Sequence, residues 1–171
     1  MNSEELKSLQ APLKDKYRSE PQSAVITLKA EGRIGENISC KVSTGKALVE
    51  AGLHPATGGT GLLVCSGDLL LEALVACAGV TLNAVATAIG VEIKDGIVKA
   101  EGDIDFRGTL GVSKDVPVGF KTIRLQFILD KDIAPDKLEA LKKLTERYCV
   151  VYQTLISATK VNTVFEQRFS L

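Results

Sequence analysis

Apolar positions recur along this chain at two different periods, and the switches between them mark out its elements. Leu6, Leu9 and Leu13 fall at helical spacing and predict an amphipathic helix over residues 3–19. Ser23–Ala30 and Ile38–Ser43 alternate apolar and polar side chains, as two antiparallel strands joined at Gly32-Arg33-Ile34-Gly35 would. The stretch Ala51–Gly61, with His54-Pro55 and Gly58-Gly59-Thr60-Gly61, reads as a loop. A long apolar helix follows over about Gly67–Ile89, with Ser66 as expected N-cap, Asp68 complementing the helix dipole and Gly90 ending it. Val91–Phe106 reads as extended with a turn at Lys94-Asp95-Gly96, Gly108–Gly119 as a turn-rich connection, and Phe120–Leu129 as a strand. Pro135 opens a helix running to about Arg147. Cys149 begins a further helical stretch to Ala158, and Val161–Phe169 closes the chain as a strand.

The central helix would suit either a bilayer or a protein core. Leu69–Ile89 is 21 residues long with Glu72 and Asn83 as its strongly polar members, enough to cross a bilayer. Glu72 would cost a few kcal/mol in hydrocarbon, and the segment is rich in Ala, Gly and Thr rather than bulky lipid-facing residues. A helix that is apolar all round is equally the buried centre of a globular domain, and that is the reading expected here. Such a helix needs cover on every side, more than short strands of one chain supply, so an obligate isologous homodimer is expected.

Composition narrows the function. The 171 residues are 45% hydrophobic, with 21 basic and 21 acidic side chains and no Trp. Balanced charge without a basic run, and few aromatics for base stacking, argue against nucleic acid. The N-terminal Met-Asn-Ser-Glu-Glu-Leu-Lys has no apolar core and does not read as a secretory signal, so a cytoplasmic protein without a membrane partner is expected, with its four cysteines reduced at rest.

Those cysteines are the candidate chemistry. Cys77 sits mid-helix among Ala73, Leu74, Val80 and Thr81, and Cys149 follows Glu146-Arg147-Tyr148 at a helix start, where a thiolate is favoured. Each alone reads as an inert core thiol, since free cysteine is among the most buried residues. If the two meet, a different chemistry opens: one thiolate takes oxygen from a peroxide and the other condenses with the sulfenic acid. Cys65, twelve residues before Cys77, lies about 18 Å from it if both share one helix, too far to pair. Cys40 reads as strand packing. A metal site is not expected, because no Cys-x-x-Cys or His-x-x-His spacing occurs. The Gly58–Gly61 loop lacks the Lys-Ser/Thr of a phosphate loop, and there is no Gly-x-Ser-x-Gly.

Taken together, Gly32-Arg33, Gly58-Gly59-Thr60-Gly61, the run from Ser66-Gly-Asp-Leu to Leu74-Val-Ala-Cys77, and Cys149 resemble the OsmC/Ohr family of thiol-dependent hydroperoxide reductases. The resemblance spans roughly residues 24–170, leaving 1–22 as an N-terminal helical extension to an OsmC-like domain over 23–171. It implies an α+β fold in which antiparallel β-sheets wrap around long central helices in an intertwined homodimer. It implies a stress-response, antioxidant enzyme that binds no cofactor and draws on an external thiol or dithiol reductant. Cys77 would be the peroxidatic thiol, Cys149 the resolving thiol, and Arg33 the arginine that stabilises the thiolate. The family's partner glutamate is missing, with Gly67 and Asp68 in its place, so Asp68 or Glu72 is left to substitute. Asp68 lies nine residues before Cys77, about 13 Å along the axis and half a turn out of phase, so a carboxylate assisting the thiol must come from another element or the partner chain. The apolar surroundings of Cys77 favour organic over small polar peroxides. The competing expectation is a non-catalytic OsmC-like domain that binds a small apolar ligand or a protein partner.

Overall fold

Where apolar periodicity is sustained, the chain folds as its pattern dictates. A computed structural model describes residues 2–20, 31–34, 39–43, 48–93, 96–111, 113–129 and 132–167. Helix α1 spans Ser3–Ser19, and the Asn2 side chain accepts from the Glu5 amide while Glu5 accepts from the Asn2 amide, a reciprocal cap. Strands β1 (Glu31–Ile34), β2 (Ser39–Ser43), β3 (Leu48–Gly52) and β4 (Val64–Cys65) form one sheet in that order. The first two pairings are antiparallel and β3–β4 is parallel. Helix α2 spans Ser66–Ile89. Strands β5 (Gly96–Ile104) and β6 (Phe120–Leu129) form a separate antiparallel hairpin, with the short helix α3 (Phe106–Thr109) between them. Helices α4 (Pro135–Tyr148) and α5 (Val150–Ile156) follow. The fold is α+β, with small sheets and one long central helix.

The core is built on α2. Leu74, Ala78, Leu82, Val85 and Ala86 recur every three or four residues and are buried. At one end Leu82, Val85 and Ala86 pack with Leu141 of α4, against Phe127 and Leu129 of β6. At the other, Leu74 and Ala78 pack with Cys149, against Val98 and Ala100 of β5 and Ile123 and Leu125 of β6. The hairpin's inner face is thus apolar by strict alternation. Its outer face carries Arg124, which pairs with Asp103 and with Glu101 at 3.4 Å. Gly90 ends α2 with φ 70°, and Lys137 of α4 donates to the Ile89 carbonyl at 3.0 Å, tying the two helices together.

Several expectations need correction. Gly32, Arg33 and Ile34 are not a turn but lie in β1, with Arg33 opposite Lys41; ladder pairing with β2 overrides the turn preference of glycine. The strand expected over 23–30 lies outside the described residues, as does part of the one expected over 38–43. Strand β3 was not expected from the sequence. Ser66 is the first helical residue of α2, and Cys65 is its N-cap, without a side-chain capping bond. The closing strand is absent over residues 159–167, where no regular structure forms and Val161, Val164 and Phe165 are exposed. Alternation alone makes no strand without a neighbour to pair with. Helix α2 is long and apolar enough to cross a membrane, yet among the described residues it carries both buried clusters.

Candidate thiol site

The break between α4 and α5 makes the site. Cys149 has extended backbone angles, φ −73° and ψ 109°, and so interrupts the helix. Its amide still bonds the Thr145 carbonyl at 3.0 Å, and its own carbonyl accepts from Gln153 at 2.9 Å. The Gln153 side chain donates back to the Glu146 carbonyl at 2.9 Å, holding the kink from outside. A helix start leaves its first amides without helical acceptors. Here those of Val150 and Val151 turn to the Cys77 sulfur of α2.

The structure therefore brings Cys77 and Cys149 together, and gives them opposite characters. Burial pushes the Cys77 thiol up, but the Val151 amide, the Cys149 thiol and the Val150 amide all stabilise its anion, and the outcome lies below the ordinary thiol value. Thr81 adds to this, although its one hydroxyl proton is committed to the Cys77 carbonyl at 2.8 Å. Cys149 is held above the ordinary value, first by burial and then by the adjacent Cys77 sulfur and its charge. The Tyr152 amide opposes this rise without forming a capping bond. Cys149 is 1% exposed while Cys77 is half-buried, so the thiol whose ionisation is favoured is the one that solvent can reach. The sequence suggested that a helix start beside Arg147 would favour a thiolate at Cys149. In fact the helix-start amides serve Cys77, and Arg147 lies over the Tyr148 ring at 5.6 Å.

The other candidate residues lie apart. Arg33 is on β1, and its side chain is outside the described part of the chain. Asp68 lines a separate cavity of about 330 Å³ with His54, Cys65, Asp103, Phe106 and Phe120, and is not among the groups acting on Cys77. Glu72 is exposed on α2. Arg107 pairs with Asp105, whose carboxyl it holds down at about 2. His54 shapes its loop as expected: Nδ1 accepts from the Ala56 amide at 3.0 Å and the ring stacks on Phe106 at 4.9 Å. Gly59 passes so close to the Leu53 carbonyl oxygen that a Cβ would lie 1.7 Å from it, so this glycine serves backbone packing and not phosphate binding. Among the described residues no cluster of three metal-ligating side chains occurs.

A family model described as OsmC-like protein matches residues 59–164, a stretch that holds both thiols and Asp68 but not Arg33. The chain belongs to the OsmC-like family. Solved structures agree on the fold. An OsmC-like protein from Mycoplasma pneumoniae superimposes with a TM-score of 0.65 at 16% identity, over 78% of this chain and 89% of that one. An organic hydroperoxide resistance protein from Elizabethkingia anophelis gives 0.63 at 16%, over 79% and 91%. One from Legionella pneumophila gives 0.61 at 18%, over 78% and 91%. No curated protein matches. What sequence reasoning missed in the OsmC-like site is the role of the Val150 and Val151 amides: the sequence predicts the helix start at Cys149, but as favouring ionisation of Cys149 itself and not of Cys77.

Proposed function

We propose that this OsmC-like protein is a cysteine-based peroxidase that reduces organic hydroperoxides at the expense of an external thiol. The observation that carries the reading is the pair itself: a half-buried Cys77 packed against a buried Cys149, with the Val150 and Val151 amides and the Cys149 thiol favouring ionisation at Cys77 while burial raises Cys149. An inert core pair has no use for such asymmetry. The resistance-protein neighbours add a theme of hydroperoxide defence at low identity.

The chemistry then follows. The Cys77 thiolate attacks the terminal peroxide oxygen. The O–O bond breaks, the sulfur is oxidised to a sulfenic acid, and the alkoxide leaves to take a proton and depart as an alcohol. The Cys149 thiol condenses with the sulfenic acid, forming the Cys77–Cys149 disulfide and releasing water. Two external thiol equivalents, or one dithiol, restore both sulfurs and leave as a disulfide. No bound cofactor enters any step. Arg33 is proposed to add its charge to the thiolate, reaching it from the partner chain of a homodimer. Asp68, far from Cys77 on its own chain, has a role only if a partner presents it, and the same holds for Glu72. The protein is proposed to work in the cytoplasm, where reducing thiols are abundant.

Alkyl hydroperoxide consumption with a dithiol reductant tests this. Wild type should turn over, and Cys77→Ser should fall to the background rate. Equal rates for the two would overturn the proposal.

A further inference from the structure

The junction between α4 and α5 leaves one carbonyl to account for. In a continuous helix the Val150 amide would donate to the Glu146 carbonyl four residues back. The helix breaks at Cys149, and the Val150 amide serves the Cys77 sulfur instead. The Glu146 carbonyl still finds a donor: the Gln153 side-chain amide bonds it at 2.9 Å, in a part-buried position. A carbonyl only accepts, so the amide nitrogen of Gln153 is the end that faces it. The Gln153 backbone amide donates to the Cys149 carbonyl at 2.9 Å. One residue thus closes the first turn of α5 with its main chain and satisfies the acceptor left over in the last turn of α4 with its side chain. Gln153 is not among the groups acting on the Cys77 sulfur, which include the Val151 and Val150 amides, the Cys149 thiol and the Thr81 hydroxyl.

We infer that Gln153 is a positioning residue of the thiol site: its side-chain amide takes the place of the Val150 N–H at the Glu146 carbonyl and so frees that N–H for Cys77. Without a donor at Gln153, the shielded Glu146 carbonyl would recover the nearest one, the Val150 amide. The helix would then close through Cys149, and the Cys77 anion would lose one of the amides that favour it. The effect of Gln153 therefore reaches the sulfur through the backbone of α5. The inference deepens the peroxidase reading and rests on it in taking Cys77 as the reacting thiol. Its test reads ionisation in the absence of peroxide, so either can fail alone.

The test is Gln153→Met, which keeps the length of the side chain and removes its donor. Alkylation of Cys77 in the reduced, intact protein is followed against pH, with Cys149, its titratable neighbour, resolved separately by mass spectrometry. Lys137→Met is the control. It removes a tie of the same kind, from Lys137 Nζ to the Ile89 carbonyl at 3.0 Å, at the far end of α2. That end lies about 18 Å along the helix axis from Cys77. The Cys77 midpoint should rise in Gln153→Met, with slower alkylation at neutral pH, and stay at its wild-type position in Lys137→Met. Should the methionine variant at Gln153 not fold, Gln153→Leu carries the same comparison. A midpoint that stays or falls in Gln153→Met would overturn the inference, as would an equal rise in Lys137→Met, which a general loosening of the helices would produce.

Discussion

Replacing Cys149 by alanine isolates the hydrogen bond on which the polarity of the thiol pair depends. In the wild type the Cys149 thiol donates to the Cys77 sulfur, second only to the Val151 amide among the groups that favour the anion. A hydrogen bond to a charged group contributes about 1.5–3 kcal/mol, and a thiol is a weak donor, so the low end applies. Cys149→Ala should therefore raise the Cys77 midpoint. The Val150 and Val151 amides remain and keep the shift from being larger. Cys149→Ser supplies a stronger donor and should leave the midpoint at or below wild type. The assay is the rate of Cys77 alkylation against pH, with each site resolved by mass spectrometry. In stability, the loss of the Cys77 contribution, which is full above its unfolded value and lost as pH falls through its folded value, is offset at alkaline pH by removal of Cys149, whose raised pKa opposes folding there, so the Cys77 midpoint and not the stability is the readout. An unchanged midpoint in Cys149→Ala, or equal shifts in the alanine and serine variants, would refute the assignment of Cys149 as donor.

Other outcomes follow from the same structure. Leu141→Ala empties a site that is 1% exposed at the α2–α4 contact and should cost about 2–5 kcal/mol in chemical denaturation, unless the core collapses around it. Arg33→Ala should raise the Cys77 midpoint and slow peroxide attack; an unchanged alkylation curve would remove Arg33 from the site. The exposed Val80, Val161, Val164 and Phe165, 72–94% accessible in the single chain, support burial in an obligate homodimer with an interface above roughly 2,000 Å². Sedimentation should show no folded monomer on dilution, and a compact, active monomer at nanomolar concentration would contradict this.

The parts of the molecule legible in the sequence are those where one local signal decides. Helix α2 keeps its apolar spacing over six turns and meets Gly90 at its end, so both its extent and its buried face could be read. Strand β6 alternates polar and apolar side chains from Thr122 to Phe127, and Pro135 marks the start of α4. Where tertiary pairing decides, the sequence misled or was silent. The β1 ladder absorbed a glycine-flanked segment that looked like a turn, and parallel pairing of β3 with β4 left no alternation to detect. The pairing of Cys77 with Cys149, with Cys77 as the attacking thiol, was an expectation carried by family resemblance; the geometry adds the groups that favour ionisation at Cys77. The helix start at Cys149 is legible in the sequence, but the turn of its first amides toward Cys77 and the burial of Cys149 are tertiary features that no spacing reveals.

The most direct test of the central claim is the redox state of the two sulfurs after one equivalent of alkyl hydroperoxide, added to fully reduced protein in the absence of external thiol. Peptide mass spectrometry should find a Cys77–Cys149 disulfide in near-stoichiometric yield, and in Cys149→Ala a sulfenic acid trapped at Cys77 instead. Both thiols still free while peroxide has been consumed, or oxidation confined to Cys149, would contradict it.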